Sequence, residues 1–177
     1  MCGIIVFVGN TIKVSKFKES LNLIKHRGPD NLKIKTYYYK KKKIILGHAR
    51  LSIIDLNKRS NQPFQSKCKR YKIVYNGEIY NFLEIKKLLE NKGYKFQTQS
   101  DTEVLLYALI EWKMNILKKL EGMFSFCFYD SKLNKIYLAR DAFGIKPLYY
   151  SISNKNLCFS SELPSLVNLS DNNRPNL

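Results

Sequence analysis

The sequence predicts an α+β domain in which antiparallel sheets carry helices on their outer faces. Three observations predict it. Short runs rich in β-branched and aromatic residues recur along the chain, polar turn-forming clusters separate pairs of them, and helically spaced apolar residues interrupt the pattern at only a few places. With 177 residues and 45% hydrophobic content, the chain can bury one sizeable core, so a single globular domain is expected.

The first strand is expected over Ile4 to Val8, followed by a helix in which Phe17, Leu21 and Ile24 share one face. Ile34 to Tyr39 and Ile44 to His48 read as two strands joined by a solvated turn at the lysine run 40–43. Tyr71 to Tyr75 is the next strand, and Asn76-Gly77 directly behind it is first of all a turn signal. Phe82, Ile85, Leu88 and Leu89 have helical spacing, with Asn81 and Glu84 placed as a capping box and Gly93 as the stop. A third helix carries Val104, Leu105, Ala108 and Leu109. Ser100 and Glu103 can cap it, leaving Asp101 in the first turn with a free carboxylate. Phe124 to Tyr129 and Lys135 to Ala139 form a hairpin around 130–134, and Leu148 to Ile152 and Leu157 to Ser160 another around 153–156. A short helix over Glu162 to Val167 closes the domain, assigned to 1–167, and the polar tail 168–177 is expected to be loose.

The formal net charge of +17 invites a nucleic-acid reading, but its distribution argues against one. Only six of the 31 basic residues are arginines, and the lysines are spread along the chain with abundant asparagine. No specific nucleic-acid partner is expected. Cys2, Cys68, Cys127 and Cys158 include no Cys-x-x-Cys pair and only two histidines could help them, so no metal site is expected. Cys127 and Cys158 lie in apolar runs as inert buried thiols, and Cys68 in a polar stretch. No charged start followed by a cleavable apolar segment is present, and no apolar run approaches ~18 residues, so neither signal peptide nor membrane span is expected. A cytoplasmic location follows by default.

Cysteine at position 2 is the most informative residue. So small a residue behind Met1 allows removal of the methionine, leaving one residue with both a thiol and a free α-amine. Their ordinary pKa values, ~8.5 and ~7.7–8.0, lie close enough for cheap proton exchange, and a terminal Cys with its own amine as base is a known activated nucleophile. Other candidates follow the strands. Arg50 could grip a carboxylate with two parallel hydrogen bonds or form a surface ion pair. Asn76-Gly77 could be a turn, or could aim a side-chain amide and a backbone N–H into one concavity. Asp101 and Glu78 are candidates for binding an ammonium; the alternatives are favourable helix-dipole placement and a solvated charge. His26 and His48 read as positioning or core hydrogen-bonding groups, and Arg140 and Asp141 as a structural pair.

Five segments occur in order: His26-Arg27-Gly28-Pro29-Asp30, Gly47 to Asp55, Tyr75-Asn76-Gly77-Glu78-Ile79-Tyr80-Asn81, Ser100-Asp101-Thr102-Glu103, and Ala139 to Tyr150. Together they closely resemble the glutaminase domain of class II glutamine amidotransferases, specifically the asparagine synthetase branch, from Met1 to about Val167. The resemblance implies the four-layer αββα sandwich of N-terminal nucleophile hydrolases, with two antiparallel sheets. It implies L-glutamine as substrate, hydrolysed to glutamate and ammonia through a Cys2 thioester, with Asn76 and Gly77 as the oxyanion hole. Arg50 would bind the α-carboxylate, Asp101 and Glu78 the ammonium, and Leu51, Ser52, Ile53 and Ile54 would line the pocket. The ATP-binding Ser-Gly-Gly-x-Asp-Ser loop of the synthetase half does not occur. Hence no cofactor is expected in this chain, ATP and Mg belong to a missing synthetase domain that would begin near the tail, and the partner is an ammonia-accepting synthetase domain or subunit. Relatives modifying sugars share these motifs, which leaves open a stand-alone or degenerate subunit serving another acceptor, or a non-catalytic glutamine-binding module.

Overall fold

The structure, a computed structural model, describes residues 1–10, 12–153 and 156–170. The expected loose tail lies outside the described residues from 171 onward, as do residues 154–155 of the last hairpin turn.

Two antiparallel sheets face each other. The first contains β1 (Gly3–Gly9), β2 (Asn31–Tyr39), β3 (Lys42–Arg50), β8 (Tyr149–Ser153) and β9 (Asn156–Ser160), ordered β2-β3-β1-β9-β8. The second contains β4 (Phe64–Gln65), β5 (Tyr71–Ile79), β6 (Gly122–Asp130) and β7 (Lys135–Arg140), in that order. Helices α1 (Val14–Leu23) and α4 (Leu163–Leu169) cover the outer face of the first sheet, and α2 (Phe82–Glu90) and α3 (Asp101–Trp112) that of the second.

Period-two alternation explains why so many strand residues are apolar. In β1, Ile5 and Phe7 pack outward against Phe17 and Leu21 of α1 and Leu166 and Leu169 of α4. Ile4 and Val6 point inward and meet Val74 of β5 and Cys127 and Tyr129 of β6. On the far side, Ile73 and Tyr75 of β5 pack with Ile85 and Leu89 of α2 and Leu105 and Leu109 of α3. The four layers therefore enclose three apolar interfaces, and a strand buried on both faces has no polar alternate.

Several local expectations change. Asn76-Gly77 is not a turn: both residues lie within β5, opposite Ser125 and Phe124 of β6, because the two strands pair continuously from Tyr71 to Ile79. A Cβ at Gly77 would sit 2.2 Å from the Met123 carbonyl oxygen, so glycine serves close strand approach rather than chain reversal. Asn81 precedes α2 but its side chain does not cap it; the amide donates to Lys119 O at 2.8 Å and accepts from Glu121 N at 3.2 Å, binding the helix start to the chain entering β6. The box at α3 is half-formed. Ser100 Oγ accepts from Thr102 N, while Glu103 accepts from the amides of Gln97 and Thr98 instead of reaching Ser100. The last helix runs two residues past Val167, since Leu169 is buried against α1. Arg140 and Asp141 do not act as a pair: Asp141 directs its oxygens to the amides of Phe124, Ile145 and Lys146.

Candidate active site

The start of β1, the ends of β3 and β5, and the first turn of α3 converge on a cavity of about 130 Å³. Cys2 precedes β1 and has the inward parity of Ile4 and Val6. Its Sγ lies 3.4 Å from Leu51 N and 3.5 Å from Leu51 O. Burial is the largest influence on this thiol and raises its pKa, while the Leu51 N–H, the chain terminus and Arg50 pull the other way. A thiol so held keeps its proton near neutrality and needs a base.

His48 cannot be that base. It is fully buried, its Nε2 lies 3.2 Å from the Tyr75 carbonyl, and desolvation pushes its pKa down to about 3. It stays neutral and ties β3 to β5, the core role expected for it. His26 lies outside, with Nε2 2.9 Å from Glu162 Oε1.

Asn76 is 1% exposed, and its Nδ2 has no hydrogen-bond partner although it is buried. Such an orphaned donor costs about 1–3 kcal/mol and is a site waiting for an acceptor. The amide of Gly77 can be placed by alternation. Tyr75 N donates to Gln62 Oε1 and Ile79 N to Asp101 Oδ2, both on the edge of β5 away from β6, while Tyr80 N bonds Glu121 O on the β6 side. Gly77 N–H, between Tyr75 and Ile79 in the alternation, points to the cavity edge.

Arg50 lines the cavity, but its fork is not wholly free. Nη1 donates to Asn57 O and Asn61 Oδ1, and Nη2 to Asp55 O, so the guanidinium also holds the 55–61 loop. Nε–H and one N–H of Nη2 are left for a ligand. Asp55 secures that loop by accepting from Ser60 Oγ, Asn57 N and Gln99 N. Asp101 is likewise not free: Oδ2 accepts from Tyr75 Oη at 2.7 Å and from Ile79 N at 3.3 Å. Burial raises its pKa, partly offset by these bonds.

Of the ten residues singled out, Cys2, Arg50, Leu51, Ile53, Ile54, Asn76, Gly77, Glu78 and Asp101 line the cavity. Ser52 does not; its amide donates to Asp30 Oδ2 at 2.7 Å, which fastens the 51–54 segment from behind. Sequence reasoning missed Gln62, Tyr75, Thr102, Met123 and Lys146 in the lining. It also missed Arg27, whose Nε donates to Cys2 O at 3.0 Å while Nη1 holds Glu162 at 2.9 Å. Gln62 was findable only after folding: its amide mimics a neighbouring strand, donating to Tyr75 O and Thr102 Oγ1 while accepting from Tyr75 N. Among the described residues no cluster of three or more His, Cys, Asp or Glu could hold a metal ion.

The fold has a solved counterpart. It superposes on glutamine phosphoribosylpyrophosphate amidotransferase from B. subtilis, solved with ADP and GMP, with a TM-score of 0.79 at 23% identity, covering 95% of this chain and 43% of that one. The chain belongs to the glutamine amidotransferase domain family, whose model matches residues 1–175. It is 41% identical over 173 residues to asparagine synthetase [glutamine-hydrolyzing] 1 of Bacillus subtilis, covering 94% of this chain and 27% of the relative. It is 36% identical over 190 residues to a putative asparagine synthetase [glutamine-hydrolyzing] 2 of Methanocaldococcus jannaschii, covering 98% and 36%. An amidase, chry2, of Gibberella zeae is 33% identical over 180 residues, covering 94% and 26%. The chain is therefore a glutamine amidotransferase domain homologous to part of the synthetases, spanning about a third or less of their length. Among the described residues, no helix is long and apolar enough to cross a membrane.

Proposed function

We propose that Cys2, freed of Met1, hydrolyses the side-chain amide of L-glutamine. The observation that carries this reading is the buried, unpartnered Asn76 Nδ2 sharing a small cavity with the Cys2 thiol, Arg50 and Asp101. The α-amine takes the thiol proton and Sγ attacks the amide carbon. Asn76 Nδ2 and Gly77 N–H stabilise the oxyanion. Collapse breaks the C–N bond, and the amine passes its proton to the leaving nitrogen, which departs as ammonia. Water, its proton taken by the same amine, then cleaves the γ-glutamyl thioester to glutamate and regenerates the thiol. The free edge of Arg50 takes the α-carboxylate. Asp101 Oδ1 and Glu78 take the ammonium.

The ammonia acceptor is a synthetase portion resembling the remaining length of the relatives, with ATP and Mg handled there, and asparagine is the product favoured by the synthetase relatives. A different acceptor is the second reading, supported by the relative that is named an amidase. Intact-mass measurement for loss of Met1, followed by an assay of glutamate and ammonia release by the wild type and Cys2→Ala, tests the proposal. Turnover by Cys2→Ala, or none by the processed wild type with or without a synthetase partner, rejects it.

A further inference from the structure

The segment 140–146 reads from sequence as a structural pair at a strand end, yet it delivers a charge to the site. Asp141 accepts from Ile145 N at 2.8 Å and Lys146 N at 3.0 Å, and also from Phe124 N of β6. This pins the loop so that the Lys146 side chain turns into the cavity beside Cys2. Lys146 is 4% exposed, and its Nζ donates at 3.0 Å to the sulfur of Met1. A thioether is a weak acceptor for a buried ammonium. Loss of Met1 removes that acceptor and creates an amine on the next atom of the chain.

We infer that Lys146 is a positioning residue that keeps the processed α-amine of Cys2 neutral, the form that accepts the thiol proton. The inference rests on the reading of Cys2 as the nucleophile. Two cations in one cavity disfavour each other, and the less basic group yields its proton. The ordinary values, ~10.4 for lysine and ~7.7–8.0 for an α-amine, make the amine that group. The surrounding charges agree. Arg27 at the Cys2 carbonyl and Arg50 at the end of β3 add positive potential. Asp141 is engaged by three amides, and Glu162 by Arg27 and His26. Asp55, which also lines the cavity, is engaged by Ser60, Asn57 and Gln99; Asp101, on α3, is engaged by Tyr75 and Ile79; and Glu78 on β5 is the remaining carboxylate of the lining. Burial lowers the pKa of Lys146 itself, with Arg27 adding to this, while Glu78, Cys2 and Asp141 help retain its proton.

The test uses Met1-processed protein labelled at cysteine Cα with carbon-13, titrated by NMR from about pH 5 to 10, alongside the pH dependence of kcat/KM for glutamine. Lys146→Met removes the charge at similar volume. The Cys2 titration and the rising limb of kcat/KM should both move up by about one pH unit. Lys146→Arg should restore them toward wild type. Unmoved titrations in Lys146→Met, or Lys146→Arg behaving like Lys146→Met, overturn the inference. If Lys146→Met does not fold by circular dichroism, Lys146→Gln carries the same expectation. If the wild type does not hydrolyse glutamine, the reading of Cys2 fails, while the NMR titration still decides whether Lys146 tunes the amine.

Discussion

A single donor without a partner says more about this cavity than its many satisfied groups. Of the buried side-chain polar atoms without a partner among the described residues, Asn76 Nδ2 is the one that belongs to the cavity lining, which leaves it open to an incoming acceptor. Asn76→Ala should lower kcat for glutamine hydrolysis by about 10²–10³, as loss of one preorganised oxyanion donor does. Steady-state kinetics checks it, and a change confined to KM would make Asn76 a binding residue. Arg50→Lys keeps the charge but loses the planar fork. At roughly 1.5–3 kcal/mol for a charge-assisted bond, KM should rise about 10- to 100-fold. Some stability should also be lost, because the same guanidinium holds the 55–61 loop. Residue types in order made these two positions legible. Gln62 carries no such signal; Tyr75 and Lys146 lie inside the five segments that occur in order, but a strand tyrosine and a lysine among many become site residues only when β5 and the 140–146 loop have been placed.

Among the elements, β5 departs most from its sequence. Asn-Gly outside a strand is a turn pair, and nothing local says that the strand continues through it; the continuation is dictated by nine residues of pairing with β6. Gly77→Ala would drive a methyl group against the Met123 carbonyl, and overpacking of this kind costs about 1–3 kcal/mol. Thermal unfolding should show a midpoint lower by roughly 2–4 °C per kcal/mol. The hairpins and the helix faces were legible because their periodicity is local. The two-residue β4 and the cap of α2 were not, since partners distant in sequence define them. The 140–146 loop adds an acid signature. Burial opposes the charge of Asp141, but the amides of Lys146, Ile145 and Phe124 prevail and hold its pKa below the ordinary carboxylate range. The stabilisation is thus complete above the unfolded value of ~3.9 and disappears as pH falls through the lowered one. Asp141→Asn should flatten the loss of stability as pH falls below about 4, as read by urea unfolding.

At the scale of the molecule, the outer side of the 140–146 loop is apolar. Phe143 is 90% exposed and Ile145 56%, and Tyr150 and Ile152 of β8 stand exposed as well. Clusters of this kind mark contact surfaces, and under the proposed function the partner for this one is a synthetase portion. Phe143→Glu should weaken stimulation of glutaminase activity by a matching synthetase domain while leaving basal turnover near wild type. Sedimentation with a coupled assay checks both; equal stimulation of wild type and variant would move the contact elsewhere. The αββα layering was legible from the family resemblance, whereas the three separate apolar interfaces follow from strands buried on both faces. The cavity lies at the seam of those layers. Cys2 and Arg50 come from one sheet, Asn76 and Glu78 from the other, and Asp101 from a helix outside the second. Neither half of the sandwich holds a working set of groups. Turnover is then a gauge of closure: in a denaturant series, activity should vanish together with near-ultraviolet circular dichroism, and a partly opened molecule should leave glutamine untouched.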